Sequence, residues 1–247
     1  MAGTQTPHKA RVVILKTGST YPQIRDQFGD FDAWFARALS SHLELTIADV
    51  TQAPPPGKPG DWQGIVITGS PAMVSERAAW SETTAAWVRQ AVEAGVPLLG
   101  VCYGHQLLAH ALGGKVDYHP DGRETGTQSV TLFESAQDDP LFSQLPKQFP
   151  AQLTHKQSVI ELPPGAVLLG RSTFEPHQAF RVGKNAWGVQ FHPEFDEQIM
   201  KAYLEVQYPD LESEGLDANA LLSSVQPAPE ASQLLRLFAD WVKTQQH

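Results

Sequence analysis

The chain alternates short β-branched runs with stretches whose apolar residues recur every three or four positions, a rhythm that few folds accommodate. RVVILK (Arg11 to Lys16), LELTIA (Leu43 to Ala48), GIVIT (Gly64 to Thr68) and VPLLGV (Val96 to Val101) read as strands buried on both faces. FDAWFARAL (Phe31 to Leu39) and WSETTAAWVRQAV (Trp80 to Val92) read as helices that each lay one face on a sheet. The first half therefore predicts βαβ units and a mostly parallel central sheet covered by helices on both faces. From Lys115 the texture changes to short strand-like pieces at 129–133, 151–154, 166–170, 178–182 and 186–191, which suggest hairpins at one side of the sheet; the expected fold also carries a small antiparallel side sheet. Helical patterns return at 197–206 and 231–242. PPPGKPG (Pro54 to Gly60) reads as a rigid loop too short to link domains, and the polar stretch 209–230 is the least defined. The expectation is one α/β domain over residues 1–247.

A formal charge of -9 and the lack of any basic run argue against nucleic acid or an anionic membrane as partner, because both require clustered positive charge. No segment approaches the roughly 18 to 20 apolar residues of a membrane span, and no apolar leader opens the chain, so a cytoplasmic location is expected. Oligomeric state is not legible. Only one cysteine, Cys102, occurs among 247 residues. It can form no internal disulfide and no cysteine-based zinc cluster, so its value lies in packing or in thiol chemistry.

Its surroundings favour chemistry. In GVCYGHQLLAHALGG (Gly100 to Gly114), Cys102 stands between an apolar strand and a helical pattern, with glycine two residues before and two after. A nucleophile on a tight strand-to-helix turn needs such small neighbours, because the backbone is strained and adjacent segments approach closely. A lone free cysteine is more often a buried small hydrophobe. At the start of a helix, however, unpaired N–H groups and the macrodipole favour the thiolate, and the Tyr103 amide is placed to meet a substrate oxygen.

A cysteine nucleophile needs an imidazole and a group to orient it. Among nine histidines, His8 and His247 are near the termini, His42 and His177 read as surface positions, and His105 and His110 belong to the helix after the cysteine. His192 differs: it ends the apolar run WGVQF and precedes Pro193 and Glu194, at a strand end where α/β active sites form. Glu194 can accept one ring N–H and leave the other nitrogen for Cys102. A metal pair is the rival reading, but no third ligand stands at useful spacing, so no metal is expected.

Together GVCYGHQLLAHALGG and GVQFHPEF resemble the class I (triad) glutamine amidotransferases, and the nearest resemblance is to stand-alone proteins similar to the glutaminase domain of GMP synthetase. ITGSP (Ile67 to Pro71) is similar to the family's oxyanion segment, and LTHKQSV (Leu153 to Val159) with LPPG (Leu162 to Gly165) to its glutamine-binding loop. The resemblance implies a flavodoxin-like three-layer fold and hydrolysis of a glutamine side-chain amide through a γ-glutamyl thioester. It implies Cys102 as nucleophile, His192 as base and acid, Glu194 as its orienter, the amides of Gly69 and Tyr103 as oxyanion hole, and Ser70, Gln106, His155, Lys156 and Gln157 as substrate contacts. No cofactor is implied.

Two features depart from the pattern. Lys156-Gln157 stands where the synthetase type tends to carry Gly-Asp, and no nucleotide pyrophosphatase loop is present, so an ammonia-accepting enzyme would be another chain. A γ-glutamyl hydrolase or peptidase using the same three residues, and a non-catalytic regulatory homologue, are the alternatives.

Overall fold

The computed structural model describes residue 3 and residues 8–245; His247 lies outside the described residues. In chain order the elements are β1 (Arg11–Lys16), α1 (Pro22–Phe28), α2 (Phe31–Leu39), β2 (Glu44–Asp49), β3 (Gly64–Ile67), α3 (Ala79–Glu93), β4 (Leu98–Val101) and α4 (Tyr103–Ala111). Then follow β5 (Lys115–Tyr118), β6 (Glu124–Leu132), β7 (Gln148–His155), β8 (Gln157–Glu161), β9 (Val167–Arg171), β10 (Ala179–Val182) and β11 (Ala186–Val189). Helices α5 (Glu197–Ser213), α6 (Ala218–Ser223) and α7 (Pro229–Thr244) complete the chain.

The central sheet has the order β2-β1-β3-β4-β11-β10-β9-β6-β7. Strands β2, β1, β3, β4 and β11 are mutually parallel, and the hairpin-like strands extend that parallel part with antiparallel pairings. The small antiparallel side sheet is β5 with β8. Side chains alternate across the parallel strands. Val12, Ile14, Leu99 and Val101 pack against Phe35 and Leu39 of α2 and Leu234, Phe238 and Val242 of α7. On the other face Val13, Leu15, Ile65, Ile67 and Leu98 pack against Val88 of α3 and Leu107 and Leu108 of α4. Both faces are thus covered by helices, the α/β three-layer arrangement expected from strands without a polar side.

The segment around Pro209 folds differently from the reading of its composition. Helix α5 runs through Pro209 to Ser213, because Ile199, Met200, Tyr203, Leu204, Gln207 and Leu211 keep one face buried across the proline. It stops where Gly215 takes φ 82° and the Leu216 amide donates back to the Leu211 carbonyl. Its apolar face joins Ile24 of α1 and Phe31 and Trp34 of α2 in a third cluster, which carries Phe31 and Phe195 toward the carboxyl ends of the parallel strands. His177 is half-buried rather than on the surface, since its ring Nδ1 meets the Val159 carbonyl; His42 is also half-buried.

Candidate active site

β4 ends at Val101 and α4 begins at Tyr103, so Cys102 alone makes the turn, at φ 54° and ψ -101°. A non-glycine residue held there stores strain of about 1–3 kcal/mol and persists only where its surroundings enforce it. The Cys102 amide donates to the Val189 carbonyl at 2.9 Å, and its own carbonyl accepts from the Gln106 amide at 3.1 Å. The flanking glycines are sterically required. A Cβ on Gly100 would lie 2.4 Å from the Gly104 carbonyl oxygen, and one on Gly104 would lie 2.5 Å from that of Ile67.

His192 follows β11, and its amide donates to the Gln152 carbonyl of β7 at 2.9 Å. Its Nδ1 lies 3.0 and 3.1 Å from the two Glu194 oxygens. The ring is stacked on Phe195, with centroids 4.1 Å apart, and on Phe31 at 6.2 Å. A Cβ on Gly69 would come within 3.0 Å of His192 Cε1, so glycine at 69 leaves the imidazole its place. Burial disfavours the charged ring, but the Glu194 carboxylate and Cys102 outweigh it, and His192 is pushed up to about 10. Nε2 is buried without a conventional hydrogen-bond partner among the described residues.

Cys102, Tyr103, Gln106, Ser70, His155, Lys156, Gln157 and His192 line one cavity of about 500 Å³, with Tyr21, Phe31, Arg123 and Tyr203 on its other walls. Among the described residues the amides of Gly69 and Tyr103 have no protein acceptor. The Tyr103 side chain is turned inward: its hydroxyl meets Ser81 and its ring stacks on Trp80, so only its backbone serves the cavity.

The expected substrate contacts divide by what their polar atoms already do. His155 is committed on both sides, Nδ1 to the Gln157 carbonyl and Nε2 to Glu124, each at 2.7 Å. Burial opposes the charge on this ring, yet Glu124 raises its pKa above the usual range. Its role is therefore to hold the loop, with no ring nitrogen left for a ligand. The Gln157 side chain is bonded to Ser75, and Ser70 Oγ accepts from the Ala72 amide at 3.0 Å. Gln106 Nε2 donates to the Gln157 carbonyl at 2.9 Å and to Gln190 Oε1 at 3.0 Å, leaving only its oxygen for the cavity. Lys156 is the freest of the set, 3.7 Å from Glu214, which also accepts from Arg123 at 3.0 Å.

His105 and His110 take no part in the cavity. His105 is wholly buried, which pushes it down to about 3, and His110 pairs with Glu82 at 2.8 Å. Gln190, by contrast, was not singled out by the motif reading, although its amide nitrogen lies 3.4 Å from Cys102 Sγ. The sequence offers only a weak signal for it: Gln190 is a polar residue two positions before His192, at the bend that follows β11. Among the described residues no cluster of three or more His, Cys, Asp or Glu could hold a metal ion, and no helix is long and apolar enough to cross a membrane.

Comparison with known proteins bears on the family and the fold. The chain is 36% identical over 197 residues to the GMP synthase [glutamine-hydrolyzing] of Thermomicrobium roseum, covering 76% of this chain and 32% of that protein. It is 32% identical over 200 residues to the protein of that name from Thermosipho africanus, covering 78% and 35%. It thus spans about a third of the length of the curated relatives it matches. A solved glutamine amidotransferase from Thermotoga maritima shares the fold at a TM-score of 0.72 and 21% identity, over 96% of this chain and 98% of that one. One from Methylobacillus flagellatus does so at 0.72 and 21%, over 96% and 94%. Residues 26–208 match the model of the glutamine amidotransferase class-I family, and the chain belongs to that family.

Proposed function

We propose that this chain, acting as one domain, hydrolyses the side-chain amide of glutamine through a γ-glutamyl thioester on Cys102. The observation that carries the proposal is the strained Cys102 turn opening into the same cavity as His192, whose far nitrogen is held by Glu194. The Cys102 sulfur, its proton passed to His192 Nε2, attacks the amide carbon. The developing oxyanion is received by the Gly69 and Tyr103 amides, an arrangement in which one donor is typically worth about 2.7–4 kcal/mol of barrier. The carbon–nitrogen bond breaks as His192 gives its proton to ammonia. His192 then takes a proton from water, which attacks the thioester carbon; the carbon–sulfur bond breaks, releasing glutamate and restoring the thiol.

Steady-state ammonia release from glutamine by the purified chain tests the proposal. Turnover that vanishes in a folded Cys102→Ala protein supports it, and unchanged release refutes it. We further propose that the ammonia serves a partner enzyme on another chain, in keeping with the glutamine-hydrolysing synthases among the relatives. Basal turnover near zero with fully alkylatable Cys102 would point to activation by that partner.

One observation favours a second reading. Tyr21, Tyr203 and Gln207 line the cavity together with Cys102, and its volume of about 500 Å³ leaves room for a γ-glutamyl compound larger than glutamine. A γ-glutamyl hydrolase would cleave γ-glutamyl dipeptides faster than glutamine in a side-by-side panel; the reverse order favours the amidotransferase.

A further inference from the structure

Three amide groups connect the substrate loop to the nucleophile, and their orientations are determined by chemistry rather than by choice. The Gln157 carbonyl can only accept, so the atom of Gln106 that meets it at 2.9 Å is the NH₂ group. The second hydrogen of that NH₂ group is then available to Gln190, 3.0 Å away, whose facing atom must be its carbonyl oxygen. Gln190 is thereby left with its NH₂ group toward Cys102 Sγ, at 3.4 Å. Gln190 is fully buried and Gln106 nearly so, so water does not compete for these bonds. The same Gln157 carbonyl also receives His155 Nδ1, which anchors the start of the chain of bonds.

Besides the His192 ring, the sulfur meets the Thr154 carbonyl oxygen at 3.7 Å. That oxygen can accept from a thiol but repels a thiolate. The Gln190 N–H group can donate to either form, and bonds more strongly to the anion. We infer that Gln190 is a catalytic donor to the Cys102 sulfur that favours its anionic form, and that Gln106 is a positioning residue that keeps the Gln190 amide from turning over. The inference deepens the proposed role of Cys102 as nucleophile.

Alkylation of Cys102 by iodoacetamide, followed across pH without glutamine, tests this independently of any amidase activity. Loss of the donor in Gln190→Leu should move the midpoint of the alkylation profile upward by about one pH unit, and slow alkylation near neutral pH about tenfold. Gln106→Leu, which touches no sulfur atom, should slow it in the same direction, since a released Gln190 can present its oxygen instead. The Gln106→Leu/Gln190→Leu double variant should be no slower than Gln190→Leu alone. Circular dichroism checks that each protein is folded; if Gln190→Leu does not fold, the Gln106→Leu profile decides. An unchanged profile in either single variant, or multiplicative effects in the double variant, overturns the inference. Absence of ammonia release from glutamine would defeat the proposed function and leave this result standing.

Discussion

Cys102 occupies its conformation because its neighbours leave no alternative: β4 and α4 converge on it, and glycine is needed on either side. The imidazole is treated in the same way, clamped between Phe31 and Phe195 with Gly69 cleared beside it. Glu194 has two effects on that ring, since it fixes which nitrogen carries the distal proton and raises the affinity of the ring for it. In the proposed reaction His192 must be protonated to release ammonia, so activity should fall as pH rises toward 10, where the ring loses its proton. Glu194→Gln removes the main upward influence, so this alkaline limb should move toward neutral pH, with kcat lowered about 100-fold or more. A pH profile of ammonia release checks this, and an alkaline limb left in place would remove Glu194 from the role.

Packing accounts for which elements were readable. The parallel strands and helices α2, α3 and α7 stand out in the sequence because each buries an uninterrupted run or a regular stripe. Helix α1 buries only Ile24, and so offers no periodicity to find. The passage of α5 through Pro209 depends on a tertiary face that local propensity opposes. At the site, glycines and a strand end mark Cys102, His192 and Glu194 within a few residues of sequence. The Gln106 to Gln190 bond spans 84 positions and the Gln190 to Cys102 bond 88, which no local pattern encodes. The β4–α4 turn also makes a prediction at this scale. In Gly104→Ala the new methyl group meets the Ile67 backbone, which cannot rotate away, so Tm should fall by roughly 2–12 °C on thermal denaturation. An unchanged Tm would show that the close approach of α4 to β3 is not required.

Across the molecule, the site stands on a buried polar platform. Glu124 accepts from His155, Gln178 and Ser172, and Ser158 donates to Glu175, all beneath the loop that lines the cavity. Burial pushes Glu175 up to about 7, against the lowering influence of His155 and Ser158. Below its ordinary value of 4.5 this carboxyl is protonated whether the chain is folded or not. Between 4.5 and about 7 the folded protein retains a proton that the unfolded chain has released, so stability falls with rising pH in that window, by about 3 kcal/mol in all. Glu175→Gln should therefore raise Tm at pH 8 and leave it nearly unchanged at pH 4; equal shifts at both values would contradict this origin. Every step of the proposed reaction passes through covalent chemistry at one sulfur. Mixing the chain with glutamine, quenching in acid during turnover and mapping peptides by mass spectrometry tests it most directly. A γ-glutamyl group on Cys102 in the native protein, absent from Cys102→Ala, is the predicted result; ammonia released at the same rate by both proteins, with no adduct on Cys102, would contradict it.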